Sequence, residues 1–525
     1  MRRGTPRGAW GFCMDTSFIK EKFMEHDQMS LTERGLLRAL EAIRTYRVPL
    51  LSALISGLLA HGYAFTNKLL NADEIGALYA KGGGTDYGRW AIDYTKYLFP
   101  DASMPWIYGI LSVLMFTAVV CLTIRFFRIR NPFLQGALAA VFLCFPALTA
   151  LYCYMFTSAP FAFSLLLAVL SVLLGCSDRW QLRVLGILLL TISLGIYQAY
   201  IAVAASYYLI RMIQMLLRDE REPKEVFLFG LRAVARMLPA LLIYYGISRF
   251  ALRVLDVEYA YYGFSENSIL RRVALAYNAL LKTVTHGYFA YVPNMLSRLV
   301  HILIGLFTAG WLGLWLLRHR REPARAGLLL LCLVLLPLSM NCVFLLANVE
   351  VIHSVVLYSF VCVYVLVAVV AECMEAPVAK PGRDLVLCGM LLICIVNIYF
   401  ANKTYLKLYL QYENAYATYS SIITQVKLTE GFDENCKLAV LGKGSNLLYI
   451  PEELDTGDLA GPEQDLVNVY TRERLIRRYL GFDMPFASNE ETSMLWADPR
   501  YEAMPAYPYP GSVQKIDDFI VVKLG

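Results

Sequence analysis

Charge is scarce in this chain. Asp, Glu, Lys and Arg together make up 17% of its 525 residues, and histidine occurs 6 times. A soluble protein of this length carries far more charge on its surface, so a water-soluble globule is excluded. Zinc spacing is lacking too: the 12 cysteines are scattered and form no CxxC pair. Most of them, among them Cys121, Cys144, Cys332 and Cys362, lie inside apolar runs and read as small packing residues. Beyond residue 402 only Cys436 occurs, which cannot form a disulfide within that region. No basic stretch is long and free of apolar flanks, which excludes nucleic acid as a partner. No phosphate-cradling loop is present either. Gly82-Gly83-Gly84 is not followed by Lys-Ser/Thr, and Gly442-Lys443-Gly444-Ser445 lacks the required spacing. Asp455-Thr456-Gly457 has no second copy, and aspartic-protease chemistry needs two such turns. No internal repeat has a clear period. Residues 1–30 contain no apolar core and no small-residue cleavage site, so the first membrane helix is expected to act as an uncleaved anchor.

What is present is apolar length. Hydrophobic residues make up 58% of the chain and mean hydropathy is +0.50. Runs of roughly 18–22 apolar residues suit transmembrane helices and are too long for barrel strands. About 11 spans are expected, near 49–65, 105–124, 132–151, 155–175, 184–197, 199–217, 227–250, 299–317, 326–346, 354–372 and 384–401. The fold class is therefore mainly α: a polytopic α-helical membrane protein with a small C-terminal α/β region. Three parts are expected: an N-terminal segment 1–47, a membrane domain 48–401 and an α/β domain 402–525.

Placement of charge gives an orientation. Arg125, Arg128 and Arg130, then Arg179 and Arg183, then Arg218, Arg221 and Lys224, and finally Arg318, Arg320, Arg321 and Arg325 mark one side. The turns near 152–154, 197–199 and 347–352 contain no Lys or Arg. The positive-inside rule then puts the N-terminus in the cytoplasm, and loop 67–104, loop 251–297 and the tail outside. Ser30 to Glu33 reads as a capping box. It opens a helix with Leu36, Leu37, Leu40 and Ile43 on one face and Arg34, Arg38, Arg44 and Arg47 on or beside the other, a pattern suited to the cytoplasmic leaflet. In the tail, 437–441 and 519–523 read as strands, and Gly461-Pro462-Glu463 as a helix start with Gly481 as its stop.

Two carboxylates stand out in the first outer loop, Asp73 and Glu74, in the run Asn71-Ala72-Asp73-Glu74. A partly desolvated carboxylate at a membrane surface has a raised pKa and can serve as a general base. On a helix, neighbours diverge by about 100°, so only one of the two would face a cleft. An acidic helix cap is the alternative, because Asn71 and Asp73 both suit helix starts. Asp86-Tyr87-Gly88-Arg89-Trp90 follows. Arg89 can pair bidentately with a phosphate or carboxylate. Trp90, Tyr87 and Tyr94 either stack on a sugar face or anchor at the interface.

The layout resembles the GT-C superfamily of polytopic glycosyltransferases. More narrowly, it resembles the bacterial Gtr-type glucosyltransferases that modify O-antigens and other surface glycans. The resembling stretches are Asn71-Ala72-Asp73-Glu74, Tyr87-Gly88-Arg89-Trp90, residues 193–200, Leu336-Pro337-Leu338-Ser339-Met340-Asn341, Met504-Pro505-Ala506-Tyr507-Pro508 and Ile516-Asp517-Asp518. The resemblance implies a lipid-linked donor, a sugar on polyprenyl phosphate, and a hydroxyl of a surface glycan or glycolipid as acceptor. It also implies transfer of a hexose, glucose foremost, on the outer side of a bacterial cytoplasmic membrane. In this superfamily an essential acid lies in the first outer loop, where Asp73 falls, and either activates the acceptor or coordinates a divalent metal such as Mg or Mn. Two aspartates are common there; the Asp-Glu pair here leaves open which acts, with Asp73 favoured over Glu74.

Tyr197 and Gln198 lie where the fifth span meets the outer face, positioned either to contact a sugar or to make an interhelical hydrogen bond. His353, Glu350 and His286 are ionisable residues near membrane depth and count as binding candidates. A polyprenyl-phosphate donor needs outer cations. Arg249, Arg253, Arg271, Arg272 and Arg298 are available, with a solvated helix in loop 251–297 as the other explanation for them. The rival functions are a lipid-linked oligosaccharide flippase or transporter, which would want broken helices or inverted repeats, and a surface-polysaccharide polymerase.

Overall fold

The structure, a computed structural model, describes residues 30–76, 84–99, 102–258, 268–286, 295–342, 345, 353–374, 379–444, 449–457, 459, 461–462 and 466–525. Residues 1–47 form one compact unit and 48–525 another. Within the first, helix α1 (Leu31–Thr45) opens on the expected capping box: Ser30 Oγ accepts from Glu33 N at 3.2 Å, and Glu33 Oε2 accepts from Ser30 N at 2.8 Å. Leu36, Leu40 and Ile43 are exposed along one face.

The second unit begins with helix α2 (Arg47–Thr66) and the short α3 (Ala72–Gly76). It continues through α4 (Pro105–Phe126), α5 (Pro132–Cys144), α6 (Pro146–Cys153), α7 (Met155–Gly175), α8 (Trp180–Ile196), α9 (Ile201–Leu217) and α10 (Pro223–Val254). Then come α11 (Ile269–His286), α12 (Met295–Arg318), α13 (Pro323–Met340), α14 (Cys362–Cys373) and α15 (Ala379–Leu428). Among the described residues 10 helical stretches are long and apolar enough to cross a membrane, and the shorter α8 is an eleventh apolar helix. The α5–α6 span is wholly buried at the centre, whereas α10 is mostly exposed, as a lipid-facing helix must be.

The central span is broken at Phe145, which is extended and precedes Pro146. Proline has no N–H to return to the carbonyl four residues back. Side chains replace what the helix loses. The Tyr358 hydroxyl donates to Phe142 O at 3.0 Å, and His61 Nε2 lies 2.7 Å from Leu143 O. A carbonyl only accepts, so Nε2 carries the proton and Nδ1 accepts from the Tyr405 hydroxyl at 2.6 Å. A second break at Tyr154 separates α6 from α7, directly beneath the loop that carries Asp73.

The basic helix ends meet one another, as the charge pattern requires. Arg128 lies 3.6 Å and Arg211 2.8 Å from Glu220, and Glu372 accepts from Asn131 N at 2.8 Å. The loop after α2, the turn between α8 and α9, His353 and the tail lie at the opposite ends of the helices.

Helix α15 does not stop where hydropathy falls. It runs for 50 residues, through position 402, because Asn402, Lys403, Lys407 and Gln411 end the apolar run without ending the helix. Beyond it, β1 (Lys437–Leu441), β2 (Val513–Ile516) and β3 (Phe519–Lys523) form a sheet in the order β1-β3-β2, with β1 parallel and β2 antiparallel to β3. Helices α16 (Arg472–Arg478), α17 (Asn489–Trp496) and α18 (Pro499–Ala503) complete it. Both expected strands are present. The expected helix start at Gly461-Pro462-Glu463 is not: the helix begins at Arg472. Gly461, at φ +114°, makes a turn against Cys153 too tight for any Cβ, and Pro462 O accepts from Gln411 Nε2 at 2.9 Å. Glu463 lies outside the described residues. Leu70 and Ile75 of the loop after α2 are buried in one core with Tyr419, Ile422, Leu438, Leu475, Ile476 and Ile520 of the tail. The loop and the tail therefore share an interior.

Candidate functional site

The start of the loop after α2 folds around Asn71. Its Oδ1 accepts from Glu74 N at 2.7 Å and caps α3, while its Nδ2 donates to Cys153 O at 2.7 Å, at the end of α6. Asn71 thus provides the cap, and both carboxylates fall within the first helical turn, where they point apart.

Glu74 is fully buried. Lys68 Nζ and Ser103 Oγ both donate to its Oε1, and Phe156 N donates to Oε2 at 3.2 Å. One carboxylate therefore joins both ends of the loop between α2 and α4 to the start of α7. With its oxygens held by a cation and two further donors, Glu74 does not fit as a metal ligand shared with Asp73. Among the described residues no three of His, Cys, Asp or Glu gather as a metal-binding group.

Asp73 is half-buried and differently placed. The Tyr470 hydroxyl makes a long hydrogen bond to its Oδ1, at 3.5 Å, and the charges of Arg474 and His353 act on it. Burial raises its pKa above the ordinary aspartate value. The Tyr470 bond, Arg474 and His353 pull the other way without cancelling that rise. His353 is exposed, just before the 3-10 turn Ser354–Val361. Arg474 and Tyr470 come from the tail: the Arg474 guanidinium lies over the Tyr470 ring at 4.5 Å and against Gly76. Arg478 Nη1 donates to Gly76 O at 2.6 Å, which fastens α16 to α3.

A second group forms around residues 84–92. Gln198 Nε2 donates to Tyr87 O at 2.8 Å and to the Tyr244 hydroxyl at 3.0 Å; that hydroxyl donates to Gly88 O at 3.2 Å. Tyr197 is buried and stacked on Phe161 at 3.9 Å. The Arg89 guanidinium sits 5.3 Å from the Tyr197 ring and 5.5 Å from that of Phe161. Trp90 lies against Gly195, where a Cβ would strike the indole. Arg89 Nε and Trp90 Nε1 are buried and make no hydrogen bond among the described residues. Asp86 Oδ1 accepts from Tyr87 N at 3.1 Å. The structure brings the candidates Arg89, Trp90, Tyr197 and Gln198 into one cluster, in which Gln198 and Tyr197 hold the loop while Arg89 and Trp90 keep donors available.

The arginines expected to meet the donor phosphate are dispersed. Arg249 is exposed on α10 and Arg271 on the first turn of α11, while Arg272 Nη1 donates to Leu345 O at 2.6 Å. The side chain of His286 and all of Glu350 lie outside the described residues. Lys68, Ser103, Tyr244, Tyr470 and Arg474 were not foreseen. The Tyr470/Arg474 spacing of four residues was the one visible sign of the last two, and it says nothing of their partner.

Neither a curated protein nor a solved structure matches the chain. The family model for Glucosyl transferase GtrII matches residues 62–366, more than half of the chain. That stretch contains the central broken span, Asp73, Glu74, Arg89, Trp90, Tyr197, Gln198 and His353. With this match laid over a multi-pass helical fold, the chain belongs to the GtrII family of membrane glucosyltransferases, the bacterial enzymes of O-antigen glucosylation.

Proposed function

We propose that this glucosyltransferase takes glucose from a polyprenyl-phosphate-linked donor and transfers it to a hydroxyl of a surface glycan or glycolipid, on the outer side of the bacterial cytoplasmic membrane. The N-terminus is cytoplasmic in this reading, and the tail is extracytoplasmic. Asp73 is the general base. It takes the proton of the acceptor hydroxyl as that oxygen bonds to glucose C1; the C1–O bond to phosphate breaks, and polyprenyl phosphate leaves with the electron pair. The proton then passes from Asp73 to water.

The observation that carries this reading is the divergence of the two carboxylates. Glu74 is paired with Lys68, whereas Asp73 is half-buried and has a raised pKa. A carboxylate with a raised pKa is a stronger base yet still ionised near neutrality. Arg89 and Trp90, with donors free, suit sugar or anionic-glycan oxygens. Arg249, Arg271 and Arg272, on the outer side in this topology, supply positive charge that draws the donor's phosphate to this face. A divalent metal, if used, would find Asp73 and no second carboxylate among the described residues.

The test is Asp73→Asn in purified, bilayer-reconstituted enzyme given polyprenyl-phosphate glucose. A lost general base lowers kcat by about 100-fold or more. Full transfer by this variant, or activity that depends on a nucleotide sugar instead, overturns the proposal.

A further inference from the structure

The matched stretch ends at residue 366, yet the nearest polar neighbours of Asp73 include two residues more than 100 positions later. We infer that Tyr470 and Arg474 complete the active site, Tyr470 as a positioning residue for Asp73 and Arg474 as the cation that meets the phosphate of the lipid-linked donor. The inference rests on the reading of Asp73 given above.

Placement of the pair is built into the fold. Arg472 Nη2 donates to Gly442 O at 2.8 Å and Nη1 donates to Val440 O, so the first residue of α16 is tied to the end of β1. Leu475 and Ile476 are buried in the interior that also holds Leu70 and Ile75. Arg478 is fastened to Gly76 at the other end of the helix. Between these anchors, one helical turn carries Arg474 to α3, within one turn of Asp73.

Arg474 has the attributes of an anion contact. It is half-buried, stacked over Tyr470, and makes no ion pair with a carboxylate among the described residues. Its neighbours on α16 differ. Arg477 is paired with Glu473 at 2.7 Å, and Arg472 and Arg478 are held on backbone carbonyls. A guanidinium oriented by an aromatic face and not paired with a carboxylate is suited to the phosphodiester of the donor and to the phosphate monoester that leaves. Asp73 lies too near to be indifferent to that charge: Arg474 opposes the rise that burial imposes on its pKa. A phosphate on Arg474 would therefore lie near the base, with glucose C1 between the phosphate oxygen that leaves and the acceptor hydroxyl that attacks.

The test uses the full-length enzyme in bilayers, with initial rates measured against donor and acceptor separately, and with polyprenyl phosphate lacking sugar as competing probe. Arg474→Gln should raise KM for the donor about 10-fold or more, the scale of a lost charge-assisted hydrogen bond. It should weaken inhibition by polyprenyl phosphate in parallel and leave KM for the acceptor unchanged. Arg474→Lys should restore part of both. Tyr470→Phe should keep KM for the donor and move the acid limb of kcat to higher pH, because it removes a bond that lowers the Asp73 pKa. Arg500→Gln, which alters a surface cluster with Asp498 and Asp517, serves as a control for disturbance of the tail. An unchanged donor KM and unchanged inhibition in Arg474→Gln overturn the inference, as does a change confined to acceptor KM. Loss of activity in Asp73→Asn with unchanged donor kinetics in Arg474→Gln sinks this inference alone. Retained activity in Asp73→Asn sinks the reading beneath it.

Discussion

Two adjacent carboxylates with opposite tasks are the central feature at the residue scale. Glu74 is buried with Lys68 beside it, so its ionised form is matched where it sits. Asp73 is burdened by partial desolvation. Its folded pKa lies above its unfolded one, so ionisation costs more in the folded protein than in the unfolded chain. That cost is absent below the ordinary value and grows as pH rises through the folded pKa. Asp73→Asn should therefore lower kcat by about 100-fold or more while leaving thermal stability at neutral pH equal to or above wild type, with the difference vanishing at acid pH. Glu74→Gln should behave in the opposite sense. It leaves Lys68 without its anion and should lower stability by about 3 kcal/mol, read as a fall in the thermal midpoint in detergent. The pair itself was legible in the sequence, because charge stands out in an apolar chain. Which member acts was not, since that depends on Lys68, Ser103 and Phe156 converging on Glu74 alone.

Among elements, the central broken span is the part with most to lose. Phe145 and Pro146 interrupt a helix with no water at hand, and His61 and Tyr358 satisfy the carbonyls so freed. His61→Leu leaves Leu143 O and the Tyr405 hydroxyl unmatched in the interior and should cost about 2–4 kcal/mol by the usual penalty for buried orphans, measured as lost folded enzyme on heating. Broken helices are also a mark of transporters. Here the freed carbonyls are met by side chains and the span is wholly buried. Hydropathy found the spans because each is set by bilayer thickness. It missed the length of α15, whose polar half remains helical, and the start of α16, because Gly461-Pro462 mimics a helix opening but serves as a wedge against Cys153.

For the whole molecule, eleven passes would place loop 67–104 and the tail on one side and the N-terminus on the other. Single cysteines introduced at the exposed Ser493 and Ser30 should be labelled by an impermeant thiol reagent from opposite sides of the membrane; labelling from the same side would contradict the topology. The shared interior of loop and tail makes a further demand. A chain ending at residue 428 retains the whole matched stretch but exposes Leu70 and Ile75 and loses Tyr470 and Arg474. It should be inactive even where it still inserts. None of this union could be read from sequence, since Tyr470 and Asp73 are 397 positions apart and nothing local to either announces the other.

The pH dependence of kcat for glucosyl transfer from polyprenyl-phosphate glucose tests the role of Asp73 most directly. The account predicts a single-proton acid limb centred above the ordinary aspartate value of 3.8, absent from the residual rate of Asp73→Asn. An acid limb that persists unchanged in Asp73→Asn would contradict it.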